Sequence, residues 1–142
     1  LDILLRQVLL ALSQARSSLE NVQHVPNFSP KIAEAQVYIN DHYTEHLTLS
    51  QVASHLNLNE SYFRHLFKDE MQISFKSYVT LLRLAHAQKL LIASQRSINE
   101  IIQEVGYSNI TQFYKIFELN YNLTPAEYRR RYRDSYADAP PL

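Results

Sequence analysis

The chain has 142 residues, of which 46% are apolar and 20% are charged, so it is able to bury a hydrophobic core. It contains one glycine and no cysteine. The first count argues against β-rich folds and phosphate loops, and the second excludes disulfide scaffolds, thiol catalysis and cysteine-type zinc sites. The net charge is zero. Without an apolar run of membrane-spanning length or a secretory leader, we expect a soluble, cytoplasmic, mostly helical protein.

The N-terminal part of the chain predicts one helix followed by a linker. Residues 2–20 place Ile3, Leu5, Val8 and further apolar side chains at helical spacing, which is typical of an amphipathic helix. Residues 21–30 contain two prolines and predict the linker. Ser29 and Pro30 are then expected to provide the N-cap and the first turn of the next helix.

From residue 30 onward the sequence predicts seven helices with short connections. The predicted ranges are 30–43, 49–56, 60–70, 75–94, 98–104, 110–120 and 125–133. Capping boxes, in which a Ser or Thr and a Glu or Gln three residues later satisfy each other's backbone N–H groups, are predicted at Thr48–Gln51, Ser97–Glu100 and Thr124–Glu127. Three such patterns before apolar-periodic stretches support one another.

Two stretches of the chain resemble each other, residues 49–70 (unit 1) and residues 98–120 (unit 2). Their first helices align at an offset of 49 residues and their second helices at an offset of 50. The turn between the helices contains Asn57 in unit 1 and Gly106 in unit 2, and both residue types tolerate a left-handed backbone. Two helices joined by such a turn are typical of a helix-turn-helix, used here twice.

The second helix of each unit has one apolar face and one polar face. The inward residues are Phe63, Leu66 and Phe67 in unit 1, and Phe113, Ile116 and Phe117 in unit 2. The outward residues are Ser61, Arg64, His65 and Lys68, and Thr111, Tyr114, Lys115 and Glu118. Such side chains suit base recognition in a DNA groove. The alternative is that they form ordinary solvated helix faces.

Residues 31–133 resemble the C-terminal DNA-binding domain of the AraC/XylS transcription regulators. The similarity lies in LTLSQVASHLNLNESYFRHLFKDE, SFKSYVTLLRLAHAQKLL and INEIIQEVGYSNITQFYKIFELNYNLTPAEYRRR. The last segment is the most specific, because it retains Gly106, Tyr107, Phe113, Phe117, Thr124, Pro125, Tyr128 and Arg129 of the family pattern. The resemblance covers about 100 residues of the chain.

This resemblance implies an all-α fold of two helix-turn-helix subdomains joined by a long central helix, here preceded by the N-terminal amphipathic helix. The recognition helices would be 60–70 and 110–120, in successive major-groove segments. The implied base-contacting residues are Ser61, Arg64, His65, Ile110, Thr111, Tyr114 and Lys115. The chain departs from the family at Gln72 and Asn122 in place of glycine, at Ile102 in place of alanine, and at Glu118 in place of a basic residue.

Contacts with DNA phosphates are expected from basic side chains and from helix N-termini. The principal candidates are Thr48, Lys68, Lys76, Ser97, Arg129, Arg130 and Arg131, with Arg83 and Arg96 as lesser ones.

The spacing of His42 and His46 would allow metal binding across one helical turn, but no third ligand is evident. We therefore expect no metal, no cofactor and no enzymatic activity.

The sequence thus predicts a bacterial transcription regulator that binds double-stranded DNA sequence-specifically. The predicted domains are the helix 1–20, the linker 21–30, the DNA-binding domain 31–133 and a tail 134–142. The alternative function is a helical protein-interaction module with helix 2–20 as its partner-binding element. Residues 2–20 are expected to pack on a second copy of the chain, forming a homodimer, with an absent sensor domain and residues 31–133 as the two alternative partner surfaces. We also expect a sensor or receiver domain before Leu1 that this chain does not include.

Overall fold

The computed structural model describes residues 28–137, with side chains described as far as residue 133, and this part of the chain consists of helices and short connections without a β-strand. Its helices are α1 Pro30–His42, α2 Leu49–His55, α3 Glu60–Met71, α4 Phe75–Ala93, α5 Ile98–Glu104, α6 Ile110–Tyr121 and α7 Pro125–Ala137. All the predicted starts are confirmed. The predicted helix 2–20 and most of the linker 21–30 lie outside the described residues.

The three predicted capping boxes are present. At α2 the Thr48 hydroxyl accepts the Gln51 N–H at 3.2 Å, and the Gln51 side chain accepts the Thr48 N–H at 2.9 Å. The same reciprocal pair forms at the starts of α5 and α7. Because each box satisfies N–H groups that have no partner inside the helix, it fixes the residue at which the helix begins.

Ser29 is the N-cap residue of α1 and Pro30 lies in its first turn, as predicted, but the Ser29 side chain does not cap the helix. The Ser29 hydroxyl makes no hydrogen bond to the first turn of α1 and instead donates to Glu70 Oε2 at 3.1 Å. The Ser29 backbone N–H donates to the same oxygen at 3.0 Å. These two charge-assisted hydrogen bonds tie the start of α1 to the end of α3.

The turns after α3 and α6 keep a left-handed residue although the family glycine is replaced at both. Gln72 has φ 62° and Asn122 has φ 57°. For glutamine this conformation costs about 1–2 kcal/mol, because its Cβ approaches the following carbonyl. The Gln72 side chain donates to the Asp69 carbonyl at 2.6 Å, and its backbone N–H donates to the Lys68 carbonyl at 2.9 Å. These bonds hold the turn in the form that glycine would adopt.

The last helix is longer than predicted. The sequence predicts its end at residue 133, whereas α7 continues to Ala137. After Pro125 the sequence contains no glycine, and its next proline is Pro140, beyond the end of α7. Without such a breaker the backbone hydrogen bonds of the helix propagate through the polar residues of this stretch.

The buried side chains form two separate cores. The first contains Ile32, Ala35, Ile39, Val52, Ala53, Leu56, Phe63, Phe67, Phe75 and Val79. The second contains Leu84, Ala87, Leu91, Ile101, Ile102, Val105, Tyr107, Phe113, Phe117 and Tyr128. Phe63 and Phe67 of the first core correspond to Phe113 and Phe117 of the second, and all four are fully buried. The repeat inferred from the sequence is therefore a repeat of core packing.

Helix α4 belongs to both cores. Its first half supplies Phe75 and Val79 to the first core, and its second half supplies Leu84, Ala87 and Leu91 to the second. Accordingly α4 packs against α3 on one side and against α5 and α7 on the other. The fold consists of two helix-turn-helix subdomains on one shared helix, as predicted.

A polar contact also attaches the loop after α1 to α4. The Tyr43 hydroxyl lies 3.0 Å from His86 Nδ1. Burial, with smaller effects from Lys89 and Arg96, lowers the pKa of His86 below its ordinary value. Neutral His86 is thus the form that the folded protein favours.

We predict that each core phenylalanine stabilises its own subdomain. Phe67→Ala and Phe117→Ala should each lower the free energy of unfolding by about 3–5 kcal/mol, because truncation of a fully buried aromatic ring leaves a cavity. Chemical denaturation measures this loss, with the exposed Leu119→Ala as the matched control. Unfolding midpoints that do not change in either phenylalanine variant would contradict the assignment of the cores.

A second prediction concerns pH. Because the pKa of His86 is lowered on folding, the unfolded chain takes up this proton first as the pH falls. The stability associated with neutral His86 is complete above the unfolded pKa of about 6.5 and is lost between that value and the lower folded pKa. Unfolding of the parent and of His86→Gln, measured from pH 7.5 to 5, should therefore show a steeper decline in the parent. Parallel curves would refute the prediction.

Candidate nucleic-acid interface

The turns of the two units have the same hydrogen bonding. In unit 1 the Leu58 N–H donates to the Ala53 carbonyl at 2.9 Å, and in unit 2 the Tyr107 N–H donates to the Ile102 carbonyl at 3.0 Å. Asn57 and Gly106 hold the left-handed position between these bonds, with φ of 56° and 105°. The two turns are thus equivalent helix C-terminal motifs.

An asparagine caps the second helix of each unit, a feature that the sequence analysis did not identify. Asn59 Oδ1 accepts the N–H groups of Ser61 and Tyr62 at 2.9 and 3.2 Å. Asn109 Oδ1 accepts the Gln112 N–H at 3.0 Å. Both helices are held by one buried face and a fixed start, so their outward side chains are displayed at defined positions.

The outward face of α3 is polar, exposed and basic. Ser61, Arg64, His65 and Lys68 are all exposed, as predicted. Arg64 forms an i, i+4 ion pair with Glu60, with Nη2 and Oε1 3.6 Å apart and both side chains more than half exposed. An exposed pair of this kind contributes little to stability, so Arg64 is able to exchange this partner for another.

The imidazole of His65 has a defined orientation. Its Nδ1 lies 2.7 Å from the Ser61 carbonyl oxygen one turn earlier. A carbonyl oxygen only accepts hydrogen bonds, so Nδ1 carries the proton in this contact. In the neutral ring Nε2 is then an acceptor facing away from the helix backbone.

The outward face of α6 is less polar and carries less positive charge. Ile110 is 43% exposed, and Thr111 and Lys115 are exposed as well. Tyr114 is an exception to the predicted outward set, because it is half-buried and packs edge-on against Phe113 with ring centroids 6.4 Å apart. Glu118 is exposed where unit 1 has Lys68.

Two exposed residues of these helices were missed by the sequence analysis. Tyr62 is 57% exposed on the first turn of α3, and Gln112, its equivalent in the repeat, is exposed on the first turn of α6. Both lie beside the predicted base-contacting positions. The repeat aligns Tyr62 with Gln112 at its offset of 50 residues, so identifying either one would have pointed to the other.

The two capped N-termini expected to bind phosphate differ in charge. At α2 the reciprocal partner of Thr48 is Gln51, which is neutral. At α5 the partner of Ser97 is Glu100, whose carboxylate accepts the Ser97 N–H at 2.9 Å. The Glu100 carboxylate occupies the place of an anion at this helix end and repels a second one. The structure therefore favours Thr48 over Ser97 as a phosphate contact.

The predicted arginine cluster of α7 separates into different environments. Arg129 Nε donates to the Leu91 carbonyl at 3.0 Å, and its Nη2 is buried. Burial, with a smaller effect from Arg133, lowers the pKa of this guanidinium. Arg129 thus caps the end of α4 and is not placed for phosphate. Arg130 and Arg131 are exposed, and the Arg131 guanidinium lies 5.9 Å from the Tyr132 ring centroid.

The basic residues of α4 and its C-terminal connection also differ from one another. Lys76 is exposed on the first turn of α4 and lines a groove between the two units together with Thr48, Ser108 and Gln112. Arg83, by contrast, donates to backbone carbonyls of the loop after α1, and Arg96 is paired with Glu104. Of these three, only Lys76 keeps the position expected of a phosphate contact.

Within residues 28–133, no three His, Asp or Glu side chains are grouped as metal ligands. His42 Nδ1 lies 2.8 Å from the Tyr38 carbonyl, so one ring nitrogen of the His42–His46 pair is engaged by the backbone. None of the helices in the described part of the chain combines the length and apolar character of a membrane span.

Comparison with known proteins gives consistent results. A family model described as a helix-turn-helix domain matches residues 52–131. The regulatory protein PocR of Salmonella typhimurium is 36% identical over 105 residues, which are 74% of this chain and 35% of PocR. The lactose operon transcription activator of Staphylococcus xylosus is 33% identical over 113 residues, 80% of this chain and 37% of that protein. The chain thus spans about a third of the length of these curated relatives.

A solved structure agrees with these matches. The C-terminal domain of AraT, a response regulator from Geobacillus stearothermophilus, is 34% identical with a TM-score of 0.71, over 74% of this chain and 88% of that one. The repeated cores, the two equivalent turns and the shared helix are all features of the matched region. The chain belongs to the AraC/XylS family of helix-turn-helix proteins.

Proposed function

We propose that the chain is the DNA-binding part of a transcription regulator and recognises a specific duplex sequence. The observation that carries this proposal is the pair of equivalent helix-turn-helix units, each with a second helix that buries one face and exposes hydrogen-bonding side chains on the other. Such a helix fits the major groove, where base edges are distinguishable. The names of the relatives, a regulatory protein and a transcription activator, support the same function.

In this proposal α3 and α6 enter successive major-groove segments. Arg64 would donate to the acceptor pair of a guanine, and Ser61 and Thr111 would contact base edges of several kinds. Neutral His65 would accept from an exocyclic amino group through Nε2. Lys115 would donate to an acceptor, and Ile110 would contact a thymine methyl group. The half-buried Tyr114 remains a proposed base contact, and the exposed Tyr62 and Gln112 are added to the proposed base contacts.

Phosphate contacts would position these helices on the duplex. The set that the geometry supports is Thr48, Lys68, Lys76, Arg130 and Arg131. We leave out Ser97, because the Glu100 carboxylate stands at its helix end, and Arg129, because its guanidinium is engaged with α4.

The proposal includes no catalytic activity, and it places the protein in the cytoplasm, where a transcription regulator meets DNA.

The alternative function is a protein-interaction module that does not bind DNA. The salt dependence of binding to a random duplex separates the two, because phosphate contacts release counterions and make log K fall linearly with log salt. The proposal predicts measurable binding at low salt with a negative slope. Undetectable binding at low salt would favour the interaction module.

We predict that Arg64 contacts a base rather than phosphate. Arg64→Ala should weaken binding to the preferred site by roughly 1–3 kcal/mol and relax the preference at one or two base pairs, while binding to random duplex changes much less. Fluorescence anisotropy with both duplexes measures this difference. Lys89→Ala, which removes an exposed positive charge from α4, is the control. An equal loss on both duplexes would instead make Arg64 a phosphate contact.

We also propose self-association through residues 2–20, a proposal that rests on the sequence alone. The apolar stripe of this stretch is too wide to remain in water without a partner surface. A dimer would present four recognition helices and raise the apparent affinity through effective concentration. Light scattering should give a dimer mass for the whole chain and a monomer mass for a chain starting at Phe28. Two monomers at high micromolar concentration would contradict this proposal.

A further inference from the structure

The two cores meet near the middle of α4. Val79 is the last buried residue of α4 in the first core, Leu82 packs against that core, and Leu84 is the first residue of the second core. Arg83 lies between Leu82 and Leu84, where one core gives way to the other. Its half-buried side chain occupies the groove between the loop of residues 43–48 and the turn of unit 2.

Arg83 contacts both subdomains at once. Its Nε donates to the Tyr43 carbonyl at 2.7 Å, and its Nη2 donates to the Glu45 carbonyl at 2.9 Å. Its guanidinium carbon also lies 5.3 Å from the centroid of the Tyr107 ring, which belongs to the turn of unit 2. The planar, rigid fork of the guanidinium suits such bridging, because two donors and a flat face are fixed relative to each other.

The backbone of the second turn is correspondingly close to the first subdomain. A Cβ atom added to Gly106 would lie 2.9 Å from the Thr44 carbonyl oxygen and 3.0 Å from Arg83 Nε. Gly106 is the one glycine of the chain, and its φ of 105° also disfavours any other residue. The absence of a side chain here allows the loop after α1, Arg83 and the second turn to pack in direct contact.

These contacts act on the position of the recognition helices. The loop of residues 43–48 leads directly into α2 of unit 1, and the Gly106–Tyr107 turn leads directly into α6. A change in how these two segments meet would therefore alter the angle between α3 and α6. One base pair more or fewer moves the second DNA segment by about 3.4 Å and about 35°, so a protein accepts only one spacing when α3 and α6 are held firmly relative to each other.

We propose that Arg83 is the positioning residue that sets the number of base pairs between the two segments contacted by α3 and α6. This role rests on the proposed DNA-binding function and adds a determinant of specificity that touches no base. It differs from a phosphate contact, because two of the donor nitrogens of Arg83 are already bonded to carbonyl oxygens of the protein.

The first test uses DNA and measures spacing tolerance. The preferred duplex is compared with duplexes that carry one base pair more or fewer between the two contacted segments. For the parent we expect a preference of about tenfold or more for one spacing, and for Arg83→Met a preference below about threefold, on the scale of one specific contact. Lys89→Met, which removes a charge from an exposed position on the same helix, should keep the parental preference.

The second test needs no DNA, so it separates this role from the proposed function. Because the chain has no cysteine, Asp69→Cys with Leu119→Cys introduces two spin-label sites, both exposed and equivalent in the repeat, on α3 and α6. Electron–electron distance measurements should give a narrow distribution in this background. Adding Arg83→Met should broaden or shift it, whereas Lys89→Met should not.

Thermal unfolding of each variant accompanies both tests. If Arg83→Met does not fold, Arg83→Lys replaces it, since lysine keeps the charge but cannot bridge two carbonyls and a ring with a planar group. An unchanged spacing preference and an unchanged distance distribution in the folded variant would overturn the role of Arg83. An equal loss of affinity at every spacing with an unchanged distance would also overturn it. Undetectable DNA binding by the parent would instead refute the proposed function.

Discussion

The structure depends on the division of α4 between two cores. Val79 and Leu84 lie five positions apart on this helix, yet they pack into different subdomains. A continuous helix is stiff, because each added residue forms a further backbone hydrogen bond to the turn before it. The two helix-turn-helix units are therefore joined by a rigid element and not by a flexible linker, and the contacts of Arg83 act on the remaining freedom between α3 and α6.

The two units have the same packing but different electrostatics. Unit 1 combines a neutral capping box at Thr48 with Lys68 on the outward face of α3. Unit 2 has the Glu100 carboxylate at its helix start and Glu118 at the position equivalent to Lys68. Under the proposed function, phosphate attraction supplies most of the sequence-independent affinity, so unit 1 would provide more of the affinity and unit 2 more of the discrimination by shape and apolar contact.

Local features of this fold were predictable from the sequence. Capping boxes, first-turn prolines and apolar periodicity all depend on residues within one or two turns, and they gave the correct start of every described helix. The repeat, and the family pattern around Gly106 and Tyr107, gave the inward and outward faces. Ile110 shows what the family pattern adds, because the resemblance placed this residue on the exposed face and the apolar periodicity did not.

The side-chain contacts between residues far apart in the chain were not predictable in this way. The partners of Ser29, Arg83 and Arg129 lie 38 to 41 residues away in the chain. From the sequence each of these side chains suggests a local role, as a cap or a phosphate contact, and only the tertiary structure brings its actual partner within reach. The half-buried position of Tyr114 has the same origin, since it depends on the ring of Phe113 and the second core.

If α3 and α6 act as a coupled pair, one duplex is contacted at two places. Selection of bound sequences from a random duplex pool is the experiment that examines this coupling. We expect two enriched blocks whose centres are about 10 base pairs apart, one helical turn of DNA, with a fixed spacing between them. A single enriched block, two blocks at variable spacing, or no enrichment at all would contradict it.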